Sequence, residues 1–211
     1  MTWAASIAAT CKGRRVDGGD LFGSSGDEGL EPGCAYFFAL MPSGRAQRQI
    51  GERRESAIRA LRPGRPSRVD DDRLHLSLCA PKALKRLRAP FEASLQRAGA
   101  EVRASAFALC LDDFGTFNGG FEQACLVLRS DATSSTHVQS LKDDIGTALF
   151  KHGFGWDGGM LAPHVTLFYA DDIASPCGPD EVVEWHVDEF VLVRSHVGKH
   201  RHDIIGRWPL R

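Results

Sequence analysis

The chain has 211 residues, 43% of them hydrophobic, enough to bury a large core without relying on disulfides or metals. A formal net charge of −1 excludes the broad basic surface that wraps nucleic acid, while a short recognition site for an RNA end needs only a local patch. The six cysteines, Cys11, Cys34, Cys79, Cys110, Cys125 and Cys177, form no CxxC pair, and several lie in apolar runs. They read as buried thiols of a reducing cytosol, not as a disulfide or zinc framework.

Residues 1–32 are rich in Gly, Ser and Asp and lack apolar periodicity, so they read as a flexible N-terminal extension. Their positive charges follow the short apolar run, the reverse of a secretory signal. No stretch approaches the roughly 20 apolar residues of a membrane span. A cytoplasmic monomer is expected, with residues 33–211 as its single domain.

CAYFFALM, residues 34–41, reads as the first strand and is followed by Pro42-Ser43-Gly44. A helix follows, with Ile50, Ala57, Ile58 and Leu61 along one stripe. The two prolines of residues 62–72 mark a loop, and RLHLSLCA, 73–80, reads as a strand ended by Pro81. A second helix is predicted over 82–98, with Leu84, Leu87, Phe91 and Leu95 inward and Gly99 as its stop. Strands follow at 104–112 and 124–129, with Gly119-Gly120 in the turn between them. The third helix is placed at 135–151, with Val138, Leu141, Ile145 and Leu149 inward and Gly153 beyond its end. PHVTLFYA, 163–170, is the next strand, and closing strands are placed at 186–194 and 202–208. Consecutive strands between helices favour an α+β fold with antiparallel sheets over a doubly wound parallel one.

Two strands carry the chemistry. With a side-chain period of two, His75 and Ser77 share one face of HLSL, and His164 and Thr166 share one face of HVTL. Each strand buries an aliphatic face and presents an imidazole beside a hydroxyl. Two such faces across a cleft suit phosphodiester cleavage. One neutral imidazole takes a proton, one imidazolium gives one, and the hydroxyls of Ser77 and Thr166 donate to phosphate oxygens. This scheme requires neither metal nor cofactor.

HLSL at 75–78, PHVTL at 163–167, the opening YFFALMPSG, the EFVLVRSHVG segment and the closing GRWPL resemble the 2H phosphoesterases. Within that superfamily the resemblance is to the 2′-5′ RNA ligase-like, or RNA 2′,3′-cyclic phosphodiesterase, family, over about 34–211. It implies a bilobal α+β fold: two antiparallel sheets with pseudo-twofold symmetry around a central cleft, and helices outside. It also implies hydrolysis of RNA 2′,3′-cyclic phosphate ends to 2′-phosphates, with slow reversible 2′-5′ joining in some members. By the same resemblance, His75 protonates the leaving O3′ and His164 activates water. Ser77 stands where many relatives have threonine and keeps the hydroxyl. Tyr169 stands where many carry a phosphate-contacting arginine, which keeps a small cyclic nucleotide or ADP-ribose cyclic phosphate open as the substrate. A non-catalytic RNA-end binding protein is a third reading, against which the paired acid and base argue.

Phe114, Phe117, Trp156, Phe168 and Tyr169 are the aromatic candidates for stacking on a base, with core packing as the plainer reading. Phe168 is favoured, two residues after Thr166. Phe168 and Tyr169 are thus the candidate substrate-binding residues. His200-Arg201-His202 has a metal-pair spacing without a third ligand, so a strand-face role is expected, with Lys199 or Arg201 available to phosphate.

Overall fold

The computed structural model describes residues 33–83, 90–117, 123–156, 159, 162–174, 178 and 181–211. The expected N-terminal extension, Leu84 and Leu87 of the second predicted helix, and the Gly119-Gly120 turn lie outside the described residues.

Strand β1, Cys34–Leu40, leads into helix α1, Gly44–Leu61, which buries Ala46, Ile50, Arg54 and Ala57 along one stripe. The predicted loop after it holds a two-residue strand, β2 (Ser67–Arg68), and a 3₁₀ turn at Asp71–Arg73. Strand β3, Leu76–Cys79, then β4, Lys82–Ala83, precede helix α2, Phe91–Glu101. The long hairpin of β5 (Phe107–Phe117) and β6 (Ala124–Ser130) is followed by helix α3, Ala132–Lys151. The remaining strands are β7 (Phe154–Gly155), β8 (His164–Ala170), β9 (Val183–Val187), β10 (Glu189–His196) and β11 (Arg201–Pro209).

The α+β class is as expected, but several boundaries move. The second helix starts later and runs past Gly99, because Lys82 and Ala83 pair with Gly155 and Phe154 instead of entering it. Gly99 does not stop the helix. It is buried within α2, and a Cβ there would sit 2.6 Å from the Trp208 ring, so the glycine admits the indole. The C-terminal region forms three strands where two were expected.

One antiparallel sheet carries the fold, in the order β11-β10-β1-β3-β8-β6-β5-β9, with β2 added alongside β8. The two expected sheets are its halves, β11-β10-β1-β3 and β8-β6-β5-β9. They meet at one residue pair, Leu76↔Val165. The main core, which includes Phe38, Leu40, Leu76, Leu78, Leu126, Leu128, Val165 and Leu167, lies between the sheet and its helices. A separate small cluster of Phe37, Ala39, Val191 and Val193 occupies the other face of β1 and β10, where alternation directs it.

The candidate active site

The seam strands are the two motif strands. Since Leu76 faces Val165 in antiparallel register, His75 falls in line with Thr166 and Ser77 with His164. Each imidazole is therefore in line, across the seam, with the hydroxyl of the other motif. All four side chains are half-buried, while Leu74, Leu76, Val165 and Leu167 between and beside them are buried.

The two histidines are held alike. His75 Nδ1 lies 2.7 Å from the carbonyl of Arg73, and His164 Nδ1 lies 2.7 Å from that of Ala162. A carbonyl can only accept, so Nδ1 carries the hydrogen in each, and each Nε2 is the atom that gains or releases a proton. A phenylalanine ring rests against each imidazole: Phe37 at 5.1 Å from His75, Phe117 at 4.9 Å from His164. Desolvation holds both below the ordinary imidazole range. His75 is pushed down to about 4, with His164 and Arg73 acting in the same direction and the hydrogen bond to the Arg73 carbonyl acting against it. His164 is lowered by desolvation, opposed by its bond to Ala162. Both are neutral at pH 7 in the free protein, ready to accept a proton.

Phe168 does not face the cleft. The ladder skips Leu167: Thr166 pairs with Val127 and Phe168 with Leu126, so Leu167 bulges and the alternation shifts by one. Leu167 and Phe168 are both fully buried, and Tyr169 is the next half-buried side chain. The same break occurs in the first motif, where Ser77 pairs with Ala39 and Cys79 with Phe38, leaving Leu78 unpaired. Phe117 reaches the site through its contact with His164. Trp156 packs on helix α3 at Gly146 instead.

Three side chains at the site have no functional assignment in the sequence. Arg54, almost fully buried, donates to the Val69 carbonyl at 2.6 Å and to Asp71 at 2.8 Å, tying α1 to the segment that runs into His75. Its signal was a charged residue in line with the apolar stripe of α1. The other two are Phe37 and His202, whose rings lie 5.6 Å apart, with His202 5.3 Å from His75. Both alternate onto the cleft side, but β1 reads as uniformly apolar and gives no hint of which face is which. Among the described residues, no three His, Cys, Asp or Glu side chains are grouped to hold a metal ion, and no helix is long and apolar enough to cross a membrane.

A fold with paired motif strands and two matched histidines defines a class, and comparison with known proteins gives its family. The chain belongs to the 2′-5′ RNA ligase superfamily, whose sequence profile matches residues 45–199. No curated protein gives a significant match. Among solved structures, Escherichia coli LigT in its apo form is similar with a TM-score of 0.65 and 24% identity, covering 83% of this chain and 96% of that one. LigT complexed with 3′-AMP is similar at a TM-score of 0.63 and 24% identity, covering 83% and 97%. TT0787 of Thermus thermophilus is similar at 0.58 and 20%, covering 84% and 98%. These likenesses establish the bilobal 2H phosphoesterase fold.

Proposed function

We propose that this protein is a metal-independent phosphodiesterase that opens RNA 2′,3′-cyclic phosphate ends to 2′-phosphates. The observation that carries this reading is the matched pair of imidazoles, each with Nδ1 tied to its own backbone and each in line with the hydroxyl of the other motif. His75 and His164 are the catalytic residues, and Ser77 and Thr166 donate to the non-bridging phosphate oxygens. Opening the ring breaks the P–O3′ bond as a P–O bond to water forms, leaving the phosphate on O2′. His164 takes the proton from water and His75 delivers one to O3′. The bound phosphate is an anion, so it raises the pKa of His75 and lets it carry that proton.

The test is turnover of a panel of 2′,3′-cyclic-phosphate oligonucleotides, cyclic mononucleotides and ADP-ribose 1″,2″-cyclic phosphate in EDTA, with the product phosphate mapped. Turnover of the RNA ends with a 2′-phosphate product is expected. His75→Ala and His164→Ala should each lower it by roughly 10²–10⁴-fold. Their combined loss should fall well short of the product of the two. Ser77→Ala and Thr166→Ala should lose less, up to about 10²–10³-fold. Loss of activity in EDTA that returns with a divalent ion, or near wild-type rates in either histidine variant, would refute the proposal. A substrate with a better 3′ leaving group should rescue His75→Ala and not His164→Ala; the converse would exchange the two roles.

A further inference from the structure

The two lobes are not equivalent around their histidines. Among the described residues, His164 has one ring neighbour, Phe117, whereas His75 has two, Phe37 and His202. Beside His202 the first lobe also places Arg73, the last residue of the 3₁₀ turn, close enough that its charge acts on both His75 and His202. The Arg73 guanidinium reaches the turn between β10 and β11, where its Nη1 lies 3.4 Å from His200 Nδ1. Arg73, His75, His200 and His202 thus form a group of potential cations along one wall of the cleft.

Two polar atoms of this group are buried with no hydrogen-bond partner in the protein, Arg73 Nε and His202 Nδ1. Buried polar atoms left unpaired are uncommon and mark places where something else completes the bonding. Acidic groups do little here. Asp70 is largely exposed and comes only within 3.9 Å of Arg73 Nη1. Asp203 is bound to His196, Arg194 and Arg201. Desolvation, then His75, Arg73 and His196, push His202 down to about 3, so it stands neutral in a locally positive setting until an anion arrives.

We propose that His202 and Arg73 form a second anion subsite beside His75, which takes the phosphate on the 5′ oxygen of the nucleotide whose cyclic phosphate is opened. This rests on the cyclic phosphodiesterase reading and deepens it. A substrate that bears a second phosphate one nucleotide from the reacting one gains two donors. A bare cyclic mononucleotide leaves Arg73 Nε and His202 Nδ1 as they are. The chemistry recognised is a phosphate, carried either by an RNA backbone diester or by a pyrophosphate such as that of an ADP-ribose.

The full chain should be titrated calorimetrically with two product-like ligands, cytidine 2′-phosphate and cytidine 2′,5′-bisphosphate. The bisphosphate should bind roughly 10- to 100-fold more tightly, the range for one or two charge-assisted hydrogen bonds. In His202→Phe, which keeps a ring against Phe37 and His75, and in Arg73→Gln, that ratio should fall toward one. Equal affinities in the wild type, no binding of the bisphosphate, or a ratio that survives both substitutions would overturn the proposal. A further pair, a dinucleotide 2′-phosphate and ADP-ribose 1″-phosphate, separates diester from pyrophosphate by which one loses affinity in His202→Phe. Binding is read without turnover, so an enzyme that binds the bisphosphate as stated yet opens no cyclic phosphate would refute only the catalytic reading.

Discussion

An imidazole that donates Nδ1–H to its own chain two residues back has its ring plane and tautomer fixed by local sequence, whatever the rest of the fold does. His75 and His164 both do this, and both are desolvated below the ordinary range. The dependence of kcat/KM on pH should therefore be a bell whose maximum lies on the acid side of pH 6.5. It reports the free protein, and a bell peaks between its two pKa values whichever group is the acid. The limbs of kcat, which report the complex, should lie at higher pH, because bound phosphate favours the protonated rings. Initial rates from pH 4 to 8 at limiting and saturating substrate check this, and a kcat/KM maximum above pH 7 would contradict it. His75, Ser77, His164 and Thr166 were legible from alternation because each pair is separated by one residue, too short a span for an irregularity to intervene. Phe168 was misplaced because its position was counted across Leu167, where the ladder slips. His202 stayed hidden as a functional residue because its partners, His75 and Phe37, are remote in sequence.

The helices were legible as periodic stripes, their ends less so, and for identifiable reasons. Asp131 caps α3 by accepting from the Ser134 amide at 2.6 Å, so the helix begins at Ala132, three residues before the predicted start. Glycine misled at α2, since Gly99 serves a tryptophan and not a turn. The pattern recurs in α3, where a Cβ on Gly146 would overlap the Trp156 indole. Gly146→Ala should therefore destabilise the protein by about 1–3 kcal/mol through overpacking. The gain in intrinsic helix propensity, about 1 kcal/mol, would offset only part of this. Trp156→Phe should suppress the loss, so that the double variant is more stable than the sum of the single changes predicts. Chemical denaturation of the four proteins measures this, and a Gly146→Ala variant as stable as wild type would show that the indole moves aside at no cost. The paired bulges at Leu78 and Leu167 are the element-scale feature that no period could reveal: each follows its motif hydroxyl directly and returns the strand to the core.

At the scale of the whole molecule, the cleft is a place where folding brings potential cations together. His75 titrates at about 4 and His202 at about 3, against about 6.5 in an unfolded chain. Between these values the unfolded chain binds more protons than the folded one, so stability falls as pH falls. The contribution of the two imidazoles is complete above pH 6.5 and is lost progressively toward pH 4 and below. Carboxylates act in a different window. Glu55, held low by its hydrogen bond with Arg68, Asp131, held low by the Ser134 amide, and Asp203, held low by His196, lose their contributions only below their unfolded values near 4. Thermal unfolding followed by circular dichroism should therefore show Tm falling by several degrees between pH 6.5 and 5, above the main range of carboxylate protonation. About 1 kcal/mol moves Tm by roughly 2–4 °C in a chain of this size. His202→Phe removes one of the imidazoles and relieves its repulsion with His75, so it should flatten this upper window and leave the steeper loss below pH 4 in place. A wild-type Tm that is flat from pH 7 to 5, or an unchanged slope in His202→Phe, would show that water reaches the two rings well enough to let them titrate normally.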